Sequence, residues 1–202
     1  NVAVGNNSLG ALTSGDNNIA IGSEAMDANS AGTSNIAIGT AALGAMNHVN
    51  NADNIAIGHY AGDGITTVDG NLQNILIGTN CGGGTWGSTA TTNVVAIGHN
   101  ALDAAIDGAT GTVAIGAGAL GGLTSGPKNT SVGYRAGLLC TPATENTYIG
   151  YEAGLATHVD DYATTAVGAG AYKGTHTGAV SQYNTSIAVS YTHLTLPTNR
   201  EV

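Results

Sequence analysis

The chain has 202 residues, of which 8% are charged, and a formal net charge of −9 with only four Lys plus Arg. So few basic side chains exclude a patch that could neutralise nucleic-acid phosphates or bind an anionic membrane surface. No apolar run approaches the roughly 18 residues that span a bilayer, so we expect no membrane insertion by this segment.

A five-residue phrase, Asn-x-x-(Ile or Val)-Gly, recurs along the chain every 17 to 20 residues. Two variable residues separate the asparagine from the Ile or Val, and we number the phrase positions one to five. Repeats of this period predict an all-β, repetitive parallel β-solenoid of about ten to eleven coils. The repeat glycines are Gly5, Gly22, Gly39, Gly58, Gly78, Gly98, Gly116, Gly133, Gly150 and Gly168.

The middle of each phrase has the alternation of a short strand, in which successive side chains point to opposite faces. Position four is always apolar and β-branched, so we expect this column to form the solenoid core. Position three is mostly Ala or Ser, and we expect it to face outward, toward solvent or another chain. The core residues predicted at position four include Ile21, Ile38, Ile57, Ile77, Ile97, Ile115, Val132, Ile149 and Val167.

Two flanking columns keep the same phase. A small residue, usually Ala, lies three positions after each glycine, and an asparagine precedes most strands. We expect the glycine to end the strand because the corner needs positive φ or has no room for Cβ. The asparagines turn the chain by bonding their own backbone, or stack as a ladder along the axis. Thr112 and Thr164 replace the asparagine, and one extra residue follows Asn93, which predicts a looser corner or a bulge there.

No catalytic arrangement is evident, so we expect a non-enzymatic protein without a cofactor or metal. Asp160 and Asp161 are the only adjacent carboxylates, and they fall in a variable loop. The stretch 121–128, GGLTSGPK, has a proline where a phosphate-binding loop would not, and it repeats the loop of the first coil. His59 and His99 follow a repeat glycine, where a threefold axis could gather imidazoles around an ion.

Two cysteines cannot form a disulfide framework. Cys81 occupies the small column and is expected to be a buried hydrophobe, and Cys140 is expected in a loop.

The longest loops are the predicted recognition surfaces, because insertions there leave the scaffold unchanged. They are Asp63–Gln73, Gly83–Thr92 and Lys173–Tyr183. The lone tryptophan could stack on a sugar ring or cover its own coil. The predicted receptor contacts are Trp86, Tyr162, Tyr172 and Tyr183.

The last fourteen residues depart from the repeat. Residues 189–198 read VSYTHLTLPT, which is the translation of a common transposase sequencing adapter. An adapter joined after the first base of a glycine codon would also place Ala188 where an eleventh repeat glycine belongs. We therefore expect 189–202 to be a non-native tail and 1–188 to be a repeat array truncated at both ends.

The phrases NIAIGSEA, NIAIGHYAG, NTSVGYRAG and NTYIGYEAG resemble the head repeats of trimeric autotransporter adhesins and the glycine-tyrosine repeats of bacteriophage tail fibres. The resemblance covers residues 1–188 and implies a left-handed β-roll that trimerises. A thin core, which buries little apolar surface, also favours a homotrimer. The longer period, with Tyr134 and Tyr151 after the glycine, favours the phage type.

The sequence thus predicts a structural or adhesive fibre segment that presents loops to a host or cell-surface glycan or protein. Its location would be a virion tail fibre or, for an adhesin head, a bacterial cell surface. Two rival interpretations are a glycan-cleaving tailspike and an ice-binding solenoid, the latter with Thr130, Thr147, Thr165 and Thr185 on a flat face.

Overall fold

A computed structural model describes residues 1–66, 69–155, 162–173 and 183–188. These residues form a parallel β-solenoid of about nine turns, with no helix among them. Its eleven strands form one sheet in chain order, as the repeat predicted. The strands are β1 Val2–Val4, β2 Ile19–Ile21, β3 Ile36–Ile38, β4 Ile55–Ile57, β5 Ile75–Ile77, β6 Val95–Ile97, β7 Val113–Ile115, β8 Thr130–Val132, β9 Thr147–Ile149, β10 Thr165–Val167 and β11 Thr185–Ile187.

Neighbouring strands pair in the register of the repeat, so that each phrase position forms a column along the axis. Ile19 pairs with Ile36, for example, and Ile21 pairs with Ile38. We call each strand with the segment that follows it a rung, numbered by its strand. In the described part of the variable segments, strand-like pairing is limited to isolated parallel bridges, such as Thr33 to Ala52 and Asp107 to Ser125.

The strands turn position three inward, and this reverses the predicted facing. Position three is completely buried in every strand from β2 to β10, and it packs in the hydrophobic core. The prediction that position three faces outward is wrong, and so is the prediction that position four forms the core. The position-four residues that lie on the outer face are Ile21, Ile38, Ile57, Ile77, Ile97, Ile115, Val132, Ile149 and Val167.

The physical reason is the width of the interior. The five residues after each repeat glycine, which we call the turn segment, pack directly against the sheet. Cys81 Sγ donates to the carbonyl of Ala96 over 3.1 Å, and Ser8 Oγ donates to the carbonyl of Ala20 over 2.9 Å. Because the small column comes this close to the strands, an alanine fits between them and a row of isoleucines does not.

The fourth residue of the turn segment fills the rest of the interior, and its size compensates for the residue at position three. Rungs 1, 2, 3, 6 and 7 combine a strand alanine with Leu or Met in the turn, as with Ala37 and Leu43, both fully buried. Tyr148 takes the strand position in β9, and a Cβ on Gly154 would overlap its ring. Leu76 in β5 likewise lies beside Gly62 and Gly82. Large and small residues thus change places between the two columns in rungs 5 and 9. Rungs 4 and 8 are small in both columns, and side chains of the neighbouring rungs occupy that space, Leu43 and Leu76 beside Gly62 and Leu120 and Tyr148 beside Gly137.

The repeat glycines satisfy both parts of the prediction made for them. Their φ angles lie between +116° and +140°, which L side chains rarely adopt. A Cβ on Gly98 would also overlap the carbonyl of Gly116 in the next rung. Close stacking of the rungs at this corner therefore requires glycine.

The strand-entry asparagines form the axial ladder that was one of the two predictions, and they are fully buried. Oδ1 of Asn54 accepts the backbone N–H and Nδ2 of Asn74, at 3.1 and 3.0 Å. Nδ2 of Asn54 donates to the carbonyl of Asn71, over 2.9 Å. The same bonds join Asn35 to Asn54, so each side chain holds together two successive rungs.

The ladder changes where asparagine is absent. No bulge follows Asn93, contrary to the prediction, because Val94 takes the asparagine column and donates its N–H to Asn74 Oδ1 over 3.0 Å. Strands β5, β6 and β7 then keep a regular register. At Thr112 the corner is looser, as predicted, since Oγ1 accepts the N–H of Asn129 over 3.4 Å.

Removal of one ladder amide should destabilise the solenoid strongly. Asn54→Ala leaves the N–H and Nδ2 of buried Asn74 without their acceptor, which we expect to lower the free energy of unfolding by about 2–5 kcal/mol. Denaturant titration followed by circular dichroism measures this. Asn50→Ala, at an exposed asparagine, is the control and should change stability by about 0.5 kcal/mol or less. Equal effects for the two variants would contradict the ladder.

If side chains from the two core columns share one space, substitutions in the two columns should be energetically coupled. Tyr148→Ala alone leaves a cavity, and Gly154→Leu alone overlaps the Tyr148 ring, so each should cost about 1–5 kcal/mol. The double variant reproduces the Ala and Leu combination of other rungs. We expect a favourable coupling energy of about 1–3 kcal/mol in a double-mutant cycle. Additive effects would show that the two side chains do not share one space.

Candidate functional site

The outer face of the sheet carries two rows of side chains: position four is Val or Ile in every strand, and position two is Val or Ile from β1 to β7. All eleven strands contribute, and none has a charged residue. Exposed fractions between 36% and 41% occur for Ile21, Ile38, Ile57, Ile97, Ile115, Ile149 and Val167. Singly exposed aliphatic residues are ordinary, whereas a continuous apolar face along a whole sheet is typical of an interaction surface.

One of these rows becomes polar toward the C-terminal rungs. Thr130, Thr147, Thr165 and Thr185 pair in register at position two. They lie beside position-four residues that stay Val or Ile, so the face there is half polar and half aliphatic.

Trp86 is not on the surface, contrary to its prediction as a receptor contact. Its side chain is 2% exposed, and Nε1 donates to the carbonyl of Gly82 over 3.1 Å. The glycines around it provide the room, since a Cβ on Gly82 would come within 3.5 Å of the indole ring. Trp86 therefore covers its own rung, which was the other prediction for it.

The predicted contacts Tyr162 and Tyr183 lie together. Their ring centroids are 5.2 Å apart at 67°, and their hydroxyl oxygens are 2.6 Å apart. Hydrogen bonding to Tyr183 raises the pKa of Tyr162. Tyr183 is 73% exposed, so this pair is accessible. Tyr172, the third predicted tyrosine, is half-buried against the core.

A second tyrosine pair was not assigned as a contact from the sequence. Tyr134 and Tyr151 stack in parallel, with centroids 5.6 Å apart and an angle of 11° between the rings. Both are the first residue of a turn segment, on consecutive rungs. The signal in the sequence was tyrosine in one column at a 17-residue interval, which brings the rings over one another.

A charged cluster lies beside this stack. Glu152 accepts hydrogen bonds from the ammonium of Lys173 and, over 3.4 Å, from Arg135 Nη1. The Lys173 hydrogen bond, and to a smaller extent Arg135, hold the pKa of Glu152 below its ordinary value. Glu152 therefore stays ionised and binds two cationic side chains, one from each neighbouring rung.

A cleft of about 260 Å³ opens next to the stack, across rungs 6, 7 and 8. The cleft was not predicted from the sequence, because its residues are spread over three repeats. The side chains that line it most prominently are His99, Asn100, Asp103, Tyr134, Arg135 and Leu138. Partial burial raises the pKa of Asp103, and a hydrogen bond from Asn80 Nδ2 at 2.7 Å opposes this rise.

Of the predicted recognition loops, Gly83–Thr92 is described in full, and Asp63–Gln73 is described except for residues 67–68. Residues 174–182 of Lys173–Tyr183 lie outside the described residues. So do Asp160, Asp161 and the tail 189–202.

The described residues contain no group of three His, Cys, Asp or Glu side chains that could hold a metal ion. His59 and His99 are both exposed, and an ion on a threefold axis stays a prediction. Within the same part of the chain, no helix is long and apolar enough to cross a membrane.

Both cysteines are buried thiols, which confirms the prediction for Cys81. Cys140 lies in a segment between strands, as predicted, and its side chain packs in the core. Burial raises the pKa of Cys81 to about 12. The thiolate, which is the reactive form, is therefore nearly absent at neutral pH.

Neither thiol should react with a disulfide reagent such as dithiobis-nitrobenzoate in the native protein at pH 8. Both should react at once after unfolding in guanidinium chloride, since unfolding removes the burial that raises the pKa of Cys81. Absorbance of the released thionitrobenzoate measures this. Labelling of the native protein at the rate of free cysteine would contradict the buried positions.

Comparison with known proteins finds no match to a family model, to a curated protein or to a solved structure.

Proposed function

We propose that this chain is a segment of a non-enzymatic homotrimeric fibre, of the phage tail-fibre type, which presents binding surfaces to a host or cell-surface receptor. The observation that carries the proposal is the outer face of the sheet. Two rows of mainly β-branched apolar side chains run along eleven strands there, uninterrupted by charge in a chain of net charge −9.

The inward alanines limit how much apolar burial a single chain gains in its interior. A rung that buries Ala at position three gains less than one that buries a larger aliphatic side chain, whose full burial contributes about 1.5–3 kcal/mol. The larger aliphatic side chains are outside, and seven of the nine at position four of β2 to β10 remain 36–41% exposed. Association of three parallel copies through this face would bury them around a common axis.

A solenoid also suits the mechanical part of the proposal. Eleven strands at about 4.8 Å spacing make a rod roughly 50 Å long, which holds side chains of successive turn segments at fixed heights. Two tyrosine pairs, Tyr134 with Tyr151 and Tyr162 with Tyr183, place exposed aromatic surface on that rod. Receptor binding through such side chains needs no catalytic group.

The adhesin head is the competing interpretation, and it would use the same trimeric rod at a bacterial surface rather than on a virion. DNA sequence across codon 188 separates the two. Further coils followed by a self-cleaving chaperone domain would favour the phage fibre, whereas a coiled-coil stalk and membrane barrel would favour the adhesin.

Sedimentation of the unmodified chain, and of variants with charged substitutions on the outer face, tests the trimer. In sedimentation equilibrium the 202-residue chain should have three times the 19.8 kDa mass of one copy. Ile57→Glu with Ile97→Glu places two carboxylates in the apolar row, and we expect it to yield smaller species because three buried charges per site repel one another.

Leu139→Glu is the matched control, because Leu139 is also apolar and 54% exposed but lies outside the sheet. It should remain a trimer. A folded, monodisperse monomer of the unmodified chain would overturn the proposal.

A further inference from the structure

The cleft at rungs 6 to 8 exists because the turn segment of rung 7 has small residues where its neighbours have large ones. The turn segments align in columns, so the first, second and fifth residues of each lie over those of its neighbours. Rung 7 has the small residues Ala117, Gly118 and Gly121 in these three columns. The rungs on either side have larger residues in all three, which are His99, Asn100 and Asp103 on rung 6 and Tyr134, Arg135 and Leu138 on rung 8.

One wall of the cleft is the aromatic ring of Tyr134. Tyr134 is 50% exposed, and Tyr151 of rung 9 covers one of its faces in a parallel stack. The stack follows the solenoid axis, and Tyr134 lines the cleft, so its other face is turned toward rung 7. A fixed ring of this kind offers an apolar plane at low entropic cost.

Two charged side chains of the cleft form hydrogen bonds with residues outside it. Asn80 of rung 5 donates to Asp103 Oδ1 over 2.7 Å. Glu152 of rung 9 bonds Arg135 over 3.4 Å. Both charged side chains are therefore oriented before a ligand arrives, and His99 is exposed at the rim.

These features select a ligand class. An aromatic plane beside a carboxylate, an imidazole and a guanidinium matches a sugar ring, which has an apolar C–H face and hydroxyls that both donate and accept. A volume of about 260 Å³ lies below the roughly 300–1,000 Å³ typical of drug-sized ligands, so it suits one ring.

Charge decides between neutral and acidic sugars. The cleft is lined by one carboxylate, from Asp103, and one guanidinium, from Arg135, so their formal charges cancel. Arg135 also shares Glu152 with Lys173. An anionic sugar would therefore meet no net positive charge in the cleft, which favours an uncharged ring.

The geometry points to a binding site for one uncharged pyranose residue of a surface glycan, between Asp103 and Tyr134 across the small residues of rung 7. This inference rests on the proposed adhesive function and names a site and a ligand class for it. A fibre of three copies would present the site three times, which raises the avidity for a repetitive glycan.

The test uses methyl glycosides of glucose, galactose and mannose as probes, with saturation-transfer NMR on the full 202-residue chain. Ala117→Tyr fills the cleft, in a column where Tyr134 and Tyr151 already occur. Gly118→Asn is a second filling variant, because Asn100 has a similar positive φ in that column and a Cβ at 118 meets only ordinary contacts. Thr40→Tyr, in the same column as Ala117 but on rung 3, is the matched control.

We expect at least one methyl hexoside to bind the unmodified chain and Thr40→Tyr with equal affinity. Both filling variants should weaken binding at least tenfold, and Asp103→Asn should do so as well because an amide is a poorer acceptor for hydroxyl pairs. Absence of hexoside binding by the unmodified chain, or binding that survives both filling variants, would overturn the proposal. Preference for the methyl glycoside of a uronic acid would overturn the uncharged class.

Sedimentation of the same samples separates this inference from the proposed function. A trimer that binds no hexoside would contradict the sugar site but not the proposed fibre. A monomer that binds hexoside through the cleft would contradict the proposed fibre but not the sugar site.

Discussion

The close approach of the turn segments to the sheet is the constraint on which the rest of this structure depends. An interior this narrow admits at most one large side chain per rung, from the turn in most rungs that have one and from the strand at Leu76 and Tyr148. The β-branched residues of the repeat are then placed on the outside of the sheet. A solenoid that is well packed inside a single chain therefore still has an apolar face, and that face is the physical basis for proposing lateral association.

Backbone and amide hydrogen bonds along the axis provide stability that the thin core does not. The glycine corner lets successive rungs approach at van der Waals distance, and the asparagine ladder links their entry corners through buried amides. Buried amides stabilise only when all their donors and acceptors are satisfied, which is why the ladder needs neighbours of the same kind. The ladder therefore runs over consecutive asparagines and weakens at Thr112, where the bond to Asn129 lengthens.

Much of the fold follows from the period of the repeat, including the parallel sheet, its register and the strand boundaries. The facing of the strands was predicted wrongly because alternation identifies two faces but not which one is inside. Compensation between Tyr148 and Gly154, and between Leu76 and Gly82, indicates the inner column, but it is visible only when two columns are compared.

Candidate sites were harder to predict for a related reason. Trp86 looked exposed because its loop is long, yet flanking glycines make room to bury it. The cleft beside Tyr134 depends on the small side chains of rung 7, and alanine and glycine are not residue types that indicate a functional site.

The central claim is that position three faces the interior and position four faces other copies of the chain. Single cysteines at adjacent positions test it most directly, with Ile97→Cys and Ala96→Cys oxidised and then analysed on a denaturing, non-reducing gel. The account predicts inter-chain disulfides for Ile97→Cys and none for Ala96→Cys, while Cys81 and Cys140 stay buried in both. Cross-linking through position 96, or through neither position, would contradict it.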